Sequence, residues 1–465
     1  MGIQPKELSK LGYTNNVARS LAINIVSKYC KHDSKEQIIK MLSDLLAYPD
    51  KYKGNEVWGK LAEHFSPMPV DKSFTVYNLL DEPLAFKTYG NKFIDTLAKQ
   101  QMNLAMRLPV TLAGAMMPDA HAGYGLPIGG VLAVENAVIP YAVGVDIGCR
   151  MSLTIFDANV DFLKRYSHQI KEALKEYTHF GMDGCLGFPQ EHDILDRNEF
   201  QLTSLLKLLH GKVVRQLGSS GGGNHFVEFG EIELIENNVL KLPAGNYTAL
   251  LSHSGSRGMG AAIARHYSDV AREVCKLPRE AQHFAWLGLD TEAGQEYWMS
   301  MNLAGDFAQA CHERIHINLS KALGLKALAN VNNHHNFAWR EEIAPNKYAI
   351  VHRKGATPAG KGIAGFIPGS MATPGYLVSG KGVSDSLNSA SHGAGRAMSR
   401  QKAKEQFTQS ALKKLLTQNG VTLIGGSVEE MPLAYKDIDK VMPAQESLVD
   451  IHGRFMPRIV RMNKE

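Results

Sequence analysis

Cysteine is scarce: five in 465 residues (Cys30, Cys149, Cys185, Cys275 and Cys311), widely spaced and without a CxxC pair. That excludes a disulfide scaffold and fits a reduced, cytoplasmic compartment. No apolar run approaches the ~20 residues a membrane helix needs, and the opening MGIQPKELSK has no apolar core of a signal peptide. Neither a span nor a leader is therefore expected. Charge of one sign is also missing. The 51 Lys and Arg against 46 Asp and Glu leave +5, which suits an anionic partner without demanding one. With 43 glycines and 19 prolines, turns are plentiful but low complexity is excluded. The expectation is a soluble intracellular chain with a large core. At ~150 residues per domain, length alone suggests about three domains.

The texture argues for fewer. Over residues 1–70 the periodicity is helical, with helices expected over 16–30 and 55–65. Ser34 and Gln37 form a capping box ahead of Ile38, Leu42, Leu45 and Leu46 on one face, and Pro49 ends that helix. From about residue 71, short β-rich runs alternate with glycine turns and longer helices. Strands are expected at 225–229, 248–253, 347–352 and 375–379, and helices at 258–276, 292–318 and 401–418. The reading is α+β: a small N-terminal helical segment (1–70) and one catalytic domain (71–465) with mixed and antiparallel sheets.

Histidine placement is the strongest chemical signal. His225, His253 and His335 each sit at a predicted strand end beside a glycine-rich or polar turn. Imidazole is the commonest transition-metal ligand, although a lone strand-end His more often bonds only to backbone. Asp146 and Cys149 add a carboxylate and a thiolate across a tight turn at Gly148. Five ligands exceed one tetrahedral zinc site, whereas two metals sharing a bridging thiolate would use all five. In the segment from Ser389 to Arg396, small residues surround His392, which could serve as ligand, base or nucleophile. Arg396 could bind phosphate bidentately. His352-Arg353-Lys354 reads either as part of a phosphate cradle or as a solvated basic strand end.

MPDAH (117–121), GVDIGC (144–149), GNHF (223–226), HSGSRG (253–258), HHN (334–336), HRKGA (352–356), PGSM (368–371) and SHGAGR (391–396) occur here in one order. In that order they resemble the RtcB family of RNA ligases, from about residue 112 onward. The resemblance implies GTP- and manganese-dependent joining of RNA ends. One end carries a 3′-phosphate or 2′,3′-cyclic phosphate and the other a 5′-hydroxyl. It implies two Mn²⁺ ions bridged by Cys149, one completed by Asp146 and His225, the other by His253 and His335. His392 would take GMP from GTP, with Asp119 as a second catalytic residue. Asn224, Glu228, His335, Asn336, Ser370 and Arg396 would bind the nucleotide with Tyr435 stacked on guanine, and Arg257 and Arg400 would contact RNA phosphates. Protein partners are not implied. A thiolate among the ligands would by itself have suggested zinc rather than manganese.

Two positions depart from the family pattern. Arg150 stands where glycine is common, and it is expected either to contact RNA or to point into solvent. Met462 occupies the place of a C-terminal lysine, with Arg461 able to replace it only through a one-residue slip or a bulge. Alternative readings are a nucleotidyltransferase that stops at the guanylylated 3′ end, a non-ligating RNA-binding paralogue, and a plain dinuclear hydrolase.

Overall fold

Among the described residues the short β-runs after residue 71 pair into two large sheets and three two-stranded ones, and the histidine-bearing turns lie where the two large sheets meet. The computed structural model describes residues 3–463 apart from 14–15, 32, 53, 66–73 and 182–183. Contacts divide the chain into two units, residues 1–73 and 74–465.

The first unit is helical. Ser34 Oγ accepts from Gln37 N while Ser34 N donates to Gln37 Oε1, closing the capping box of helix Lys35–Ala47. That helix turns Ile38, Leu42 and Leu45 into a small core with Leu8, Tyr13, Ala22 and Trp58. The helix expected over 55–65 shrinks to Gly59–Ala62. Asn55 Oδ1 accepts from Val57 N and Trp58 N, an Asx turn that occupies the backbone where the helix would have begun.

In the second unit the larger sheet has eight strands. Its order is Ala327–His334, Arg150–Phe156, Gly245–Ser254, Phe226–Leu234, Val449–Met462, Gly375–Gly380, Ala364–Ile367, with Thr422–Ile424 parallel to part of Val449–Met462. Inward residues of these strands, among them Met151, Leu153, Ile232, Leu251, Phe366 and Phe455, make one core. The side-chain amide of Asn333 bonds to both backbone groups of Phe366, accepting from N at 2.8 Å and donating to O at 3.4 Å. It mimics a peptide and fastens the two outer strands together, so the sheet curls and hides those edges. The smaller sheet orders Asn336–Ala344, Lys347–Lys354, Ile128–Val134, Thr111–His121 and Lys87–Thr88. His335 alone separates strand Ala327–His334 of one sheet from Asn336–Ala344 of the other.

Helices Arg257–Val274 and Glu292–Leu323 pack on these sheets. The helix expected over 401–418 is two, Arg400–Gln406 and Gln409–Gln418, because Thr408 leaves the helical conformation and caps the second by accepting from Ala411 N. Among the described residues no helix is long and apolar enough to cross a membrane.

Candidate metal and nucleotide site

Both sheets send strand ends into one cavity of about 920 Å³. The turn before strand Arg150–Phe156 supplies Asp146 and Cys149. Gly148 holds it in the left-handed region at φ 68°, with the Gly305 backbone so close that a Cβ would lie 2.7 Å from its Cα. His225 precedes strand Phe226–Leu234, His253 is the penultimate residue of Gly245–Ser254, and His335 is the residue between the sheets. Gly255 must lack a side chain, because a Cβ there would sit 2.0 Å from Asp146 Oδ1.

These five residues form two triads that share one sulfur: Asp146–Cys149–His225 and Cys149–His253–His335, with all ligand atoms of each within 4.8 Å. Cys149 Sγ lies 3.3 Å from His225 Nε2 and 3.1 Å from His253 Nε2, and the latter is 3.2 Å from His335 Nε2. His253 Nδ1 donates to Asn224 O at 3.1 Å, which leaves its Nε2 lone pair facing the sulfur. Burial holds the His253 imidazole neutral, down to about 3, and pushes His335 well below the usual range. Burial raises Asp146, but the charge and hydrogen bond of His225 outweigh it and leave the carboxyl at about 2. Burial and the Asp146 charge push the Cys149 thiol up. An ionised carboxylate, three inward Nε2 atoms and one sulfur form a donor set that suits transition-metal ions, and a cation would lower that thiol.

Behind His253 runs a polar chain that is buried from Thr154 inward. Asn330 donates to Thr154 Oγ1 at 2.9 Å, and Thr154 Oγ1 meets His316 Nδ1 at 2.7 Å. His316 Nε2 meets Ser252 Oγ at 2.7 Å, and Ser252 Oγ meets His312 Nδ1 at 2.6 Å. His312 Nε2 then donates to Ser254 O at 3.1 Å. With both imidazoles neutral, one direction of donation satisfies every member. Burial keeps them so, His316 at about 3 and His312 well below its ordinary value. Helix Glu292–Leu323 thereby grips the residues on either side of His253.

His392 follows strand Ser389–Ser391, and its ring stands 4.9 Å from that of His335. Its Nδ1 donates to Asp119 Oδ2 at 2.7 Å, and its backbone N–H reaches the same oxygen at 3.2 Å. That bond fixes the tautomer and leaves Nε2 as the ring's lone-pair nitrogen. Asp119 is fully buried; burial raises its carboxyl, but the hydrogen bond and charge of His392 bring it below the usual value.

Asn224, Glu228, Asn336, Ser370, Arg396, Arg400 and Tyr435 also line the cavity. Burial pushes the Glu228 carboxyl well up. Asn336 Oδ1 accepts from Gly355 N at 2.8 Å, and Ser370 Oγ bonds to Thr373 Oγ1 at 2.8 Å. Arg396 is engaged by Glu430, by the Met398 and Glu429 carbonyls, and by the Tyr435 ring 5.2 Å away, while Tyr435 Oη bonds to Glu430. Arg257 lies outside this lining and donates to Ser219 Oγ and the Gly181 carbonyl.

Two expectations need correction. Arg150 neither reaches for RNA nor meets solvent: it is buried, and all five N–H groups find acceptors in Gly148 O, Gln309, Asn332, Gly305 O and His334. The basic strand end is not solvated either. His352 accepts from Ile139 N at 2.9 Å, and Arg353 is fully buried in a bidentate pair with Glu341. Lys354 alone of that triplet lines the cavity. It was visible within HRKGA, but alternation along a strand does not say which residue faces a ligand.

The family described as tRNA-splicing ligase RtcB matches residues 100–209 and 199–463. The RNA-splicing ligase RtcB of Escherichia coli (strain K12) is 30% identical over 389 residues, covering 77% of this chain and 92% of its own length. The tRNA-splicing ligase RtcB of Nanoarchaeum equitans is 29% identical over 429 residues, covering 77% and 90%. That of Thermococcus kodakarensis is 28% identical over 434, covering 78% and 90%. The protein is thus an enzyme of the ligase class. More particularly, the chain belongs to the RtcB family.

Proposed function

We propose that this enzyme joins an RNA end bearing a 3′-phosphate, or a 2′,3′-cyclic phosphate first opened by water, to a 5′-hydroxyl end at the expense of GTP. The observation that carries the reading is that two ligand triads share Cys149 beside the His392–Asp119 pair, with Asp146, Cys149, His253, His335 and His392 lining one cavity. Asp146 and His225 would hold one Mn²⁺, and His253 and His335 the other, with Cys149 between them. Such ions neutralise phosphate oxygens and so ease displacement at phosphorus.

His392 Nε2 attacks the α-phosphorus of GTP, forming an N–P bond as the bond to pyrophosphate breaks. Asp119 keeps the Nδ1 proton and steadies the positive ring. An oxygen of the RNA 3′-phosphate then takes the GMP, freeing His392. Finally the 5′-hydroxyl attacks the RNA phosphorus, loses its proton and expels GMP, leaving a phosphodiester. Asn224, Glu228, Asn336, Ser370, Arg396 and Tyr435 are the proposed nucleotide contacts, with Arg257, Arg400 and Lys354 reserved for RNA phosphates. The cysteine pattern supports a cytoplasmic setting.

Incubation with α-labelled GTP and Mn²⁺, followed by mapping of the acid-labile protein–GMP adduct, tests this. His392→Ala should abolish the adduct while retaining metal near the wild-type level. A persisting adduct would remove His392 from its role. Guanylylated 3′ ends that accumulate despite a 5′-hydroxyl partner would make the enzyme an end-capping nucleotidyltransferase instead.

A further inference from the structure

The cavity wall around residues 121–124 has no role in the steps above. Its backbone is pinned on every side. Ala122 N donates to Asp95 Oδ2 at 3.3 Å, Gly123 N to Gln101 Oε1 at 3.1 Å, and the Tyr124 carbonyl accepts from Lys354 Nζ. Yet the Tyr124 side chain remains 75% exposed while lining the cavity. The loop backbone has already lost freedom that binding would otherwise remove, and an exposed aromatic face suits any nucleobase.

Lys354 supplies a second observation. Among the described residues its ammonium meets only the Tyr124 and Tyr141 carbonyls, and it lies 5.5 Å from the Tyr141 ring centroid, which itself stacks on His283 at 4.9 Å. Among the described residues no carboxylate lies within ion-pairing distance of it. Burial alone draws this lysine down to about 8. A half-buried cation without a counter-charge is stabilised by an incoming anion. The next residue, Gly355, lies so close to His392 that a Cβ there would be 3.2 Å from Cε1.

We propose that this wall seats the 3′-terminal nucleotide of the RNA, its base stacked on Tyr124 and its phosphate held by Lys354. Base and phosphate are neighbours within one nucleotide, as Tyr124 and Lys354 are neighbours here, and the arrangement presents the phosphate beside His392. The assignment rests on the RNA-joining function proposed above.

Two measurements test it. In the first, a single-stranded RNA with a 3′-phosphate carries 2-aminopurine as its last base and is bound without GTP or metal. Stacking should quench the emission with wild type and Tyr124→Phe but not with Tyr124→Ala. In the second, 3′-end guanylylation is compared for intact and abasic termini without a 5′-hydroxyl strand, normalised to the fraction of enzyme carrying GMP. Wild type should prefer the intact base by roughly five- to a hundredfold, the range expected of one stacked base, and Tyr124→Ala should lose most of that preference. An undiminished preference in Tyr124→Ala would overturn the proposal. So would an effect confined to the joining step, which would give the platform to the 5′-hydroxyl strand. Failure of wild type to form any GMP adduct would instead sink the ligase chemistry on which the proposal rests.

Discussion

Replacing Arg150 by Met would leave the buried Gly148 carbonyl without its donor and remove a second donor from the helical Gly305 carbonyl, as well as the bonds to Gln309 and Asn332. An unsatisfied buried acceptor costs ~1–3 kcal/mol. Arg150→Met is therefore expected to destabilise the protein by about 2–4 kcal/mol in denaturant unfolding. Metal affinity should fall with it, because the Gly148 carbonyl adjoins Cys149; unchanged metal titrations would separate the two effects. At the proposed nucleotide end, Met462 lines the cavity without a donor. Arg461 sits 5.4 Å from the Phe180 ring centroid and donates to the Met462 carbonyl. Residues 459–462 pair in unbroken register with 229–226, so the slip that would exchange the two is absent, and the irregularity lies earlier, between Pro457 and Ile459. Met462→Lys should then widen discrimination of GTP over ATP by roughly tenfold or more, a charged hydrogen bond being worth ~1.5–3 kcal/mol. Arg461→Ala should barely alter it. Adduct formation with each labelled nucleotide decides, and the opposite pattern would show that Arg461 reads the base.

At the scale of elements, helix Glu292–Leu323 is tied to the His253 strand through Thr154, His316, Ser252 and His312. Thr154→Val keeps the shape but removes the hydroxyl, leaving His316 Nδ1 unpaired at a cost of ~1–3 kcal/mol. We expect it to bind Mn²⁺ several-fold more weakly, while Thr154→Ser stays near wild type; equal affinities for the two variants would confine the chain to a packing role. None of this was readable from the sequence, since Thr154 and His316 lie 162 residues apart. What was readable had local causes. The Ser34 capping box, the left-handed Gly148 turn and the placing of histidines at strand ends all follow from residues within a few positions of one another. The inward turn of Arg150 did not, because its acceptors Gly305, Gln309 and Asn332 come from a distant helix and strand. Nor did the division of helix 401–418, where a capping threonine prevailed over an otherwise continuous helical pattern.

For the molecule as a whole, buried neutral histidines set the acid limit. Burial depresses His121 and His352 to about 4, His253, His316 and His334 to about 3, and His312 and His335 well below the ordinary value. Unfolded, each takes a proton near 6.5, whereas folded each refuses it until far lower pH. Across that window the unfolded state binds more protons, so stability falls as pH falls, by up to ~1.4 kcal/mol per pH unit for each histidine. Several together rival a whole domain's stability of about 5–15 kcal/mol. The metal-free protein should therefore unfold cooperatively within roughly one to two pH units below 6.5, as followed by circular dichroism. His316→Gln should reduce the proton uptake on unfolding by about one, and a midpoint below pH 4 would contradict the account.

Strand Val449–Met462 lies between Phe226–Leu234 and Gly375–Gly380 in the larger sheet, although it follows both in the chain. On a ribosome, every other strand of that sheet emerges before it. Until it arrives, the strands on either side face each other across a missing partner, with two open edges of unpaired amides and carbonyls. The cavity wall that includes Val460 and Met462 is thus completed by the strand of that sheet that comes last in chain order. A product truncated before residue 449 would carry every proposed metal ligand and His392 without the strand that pairs with both parts of the sheet.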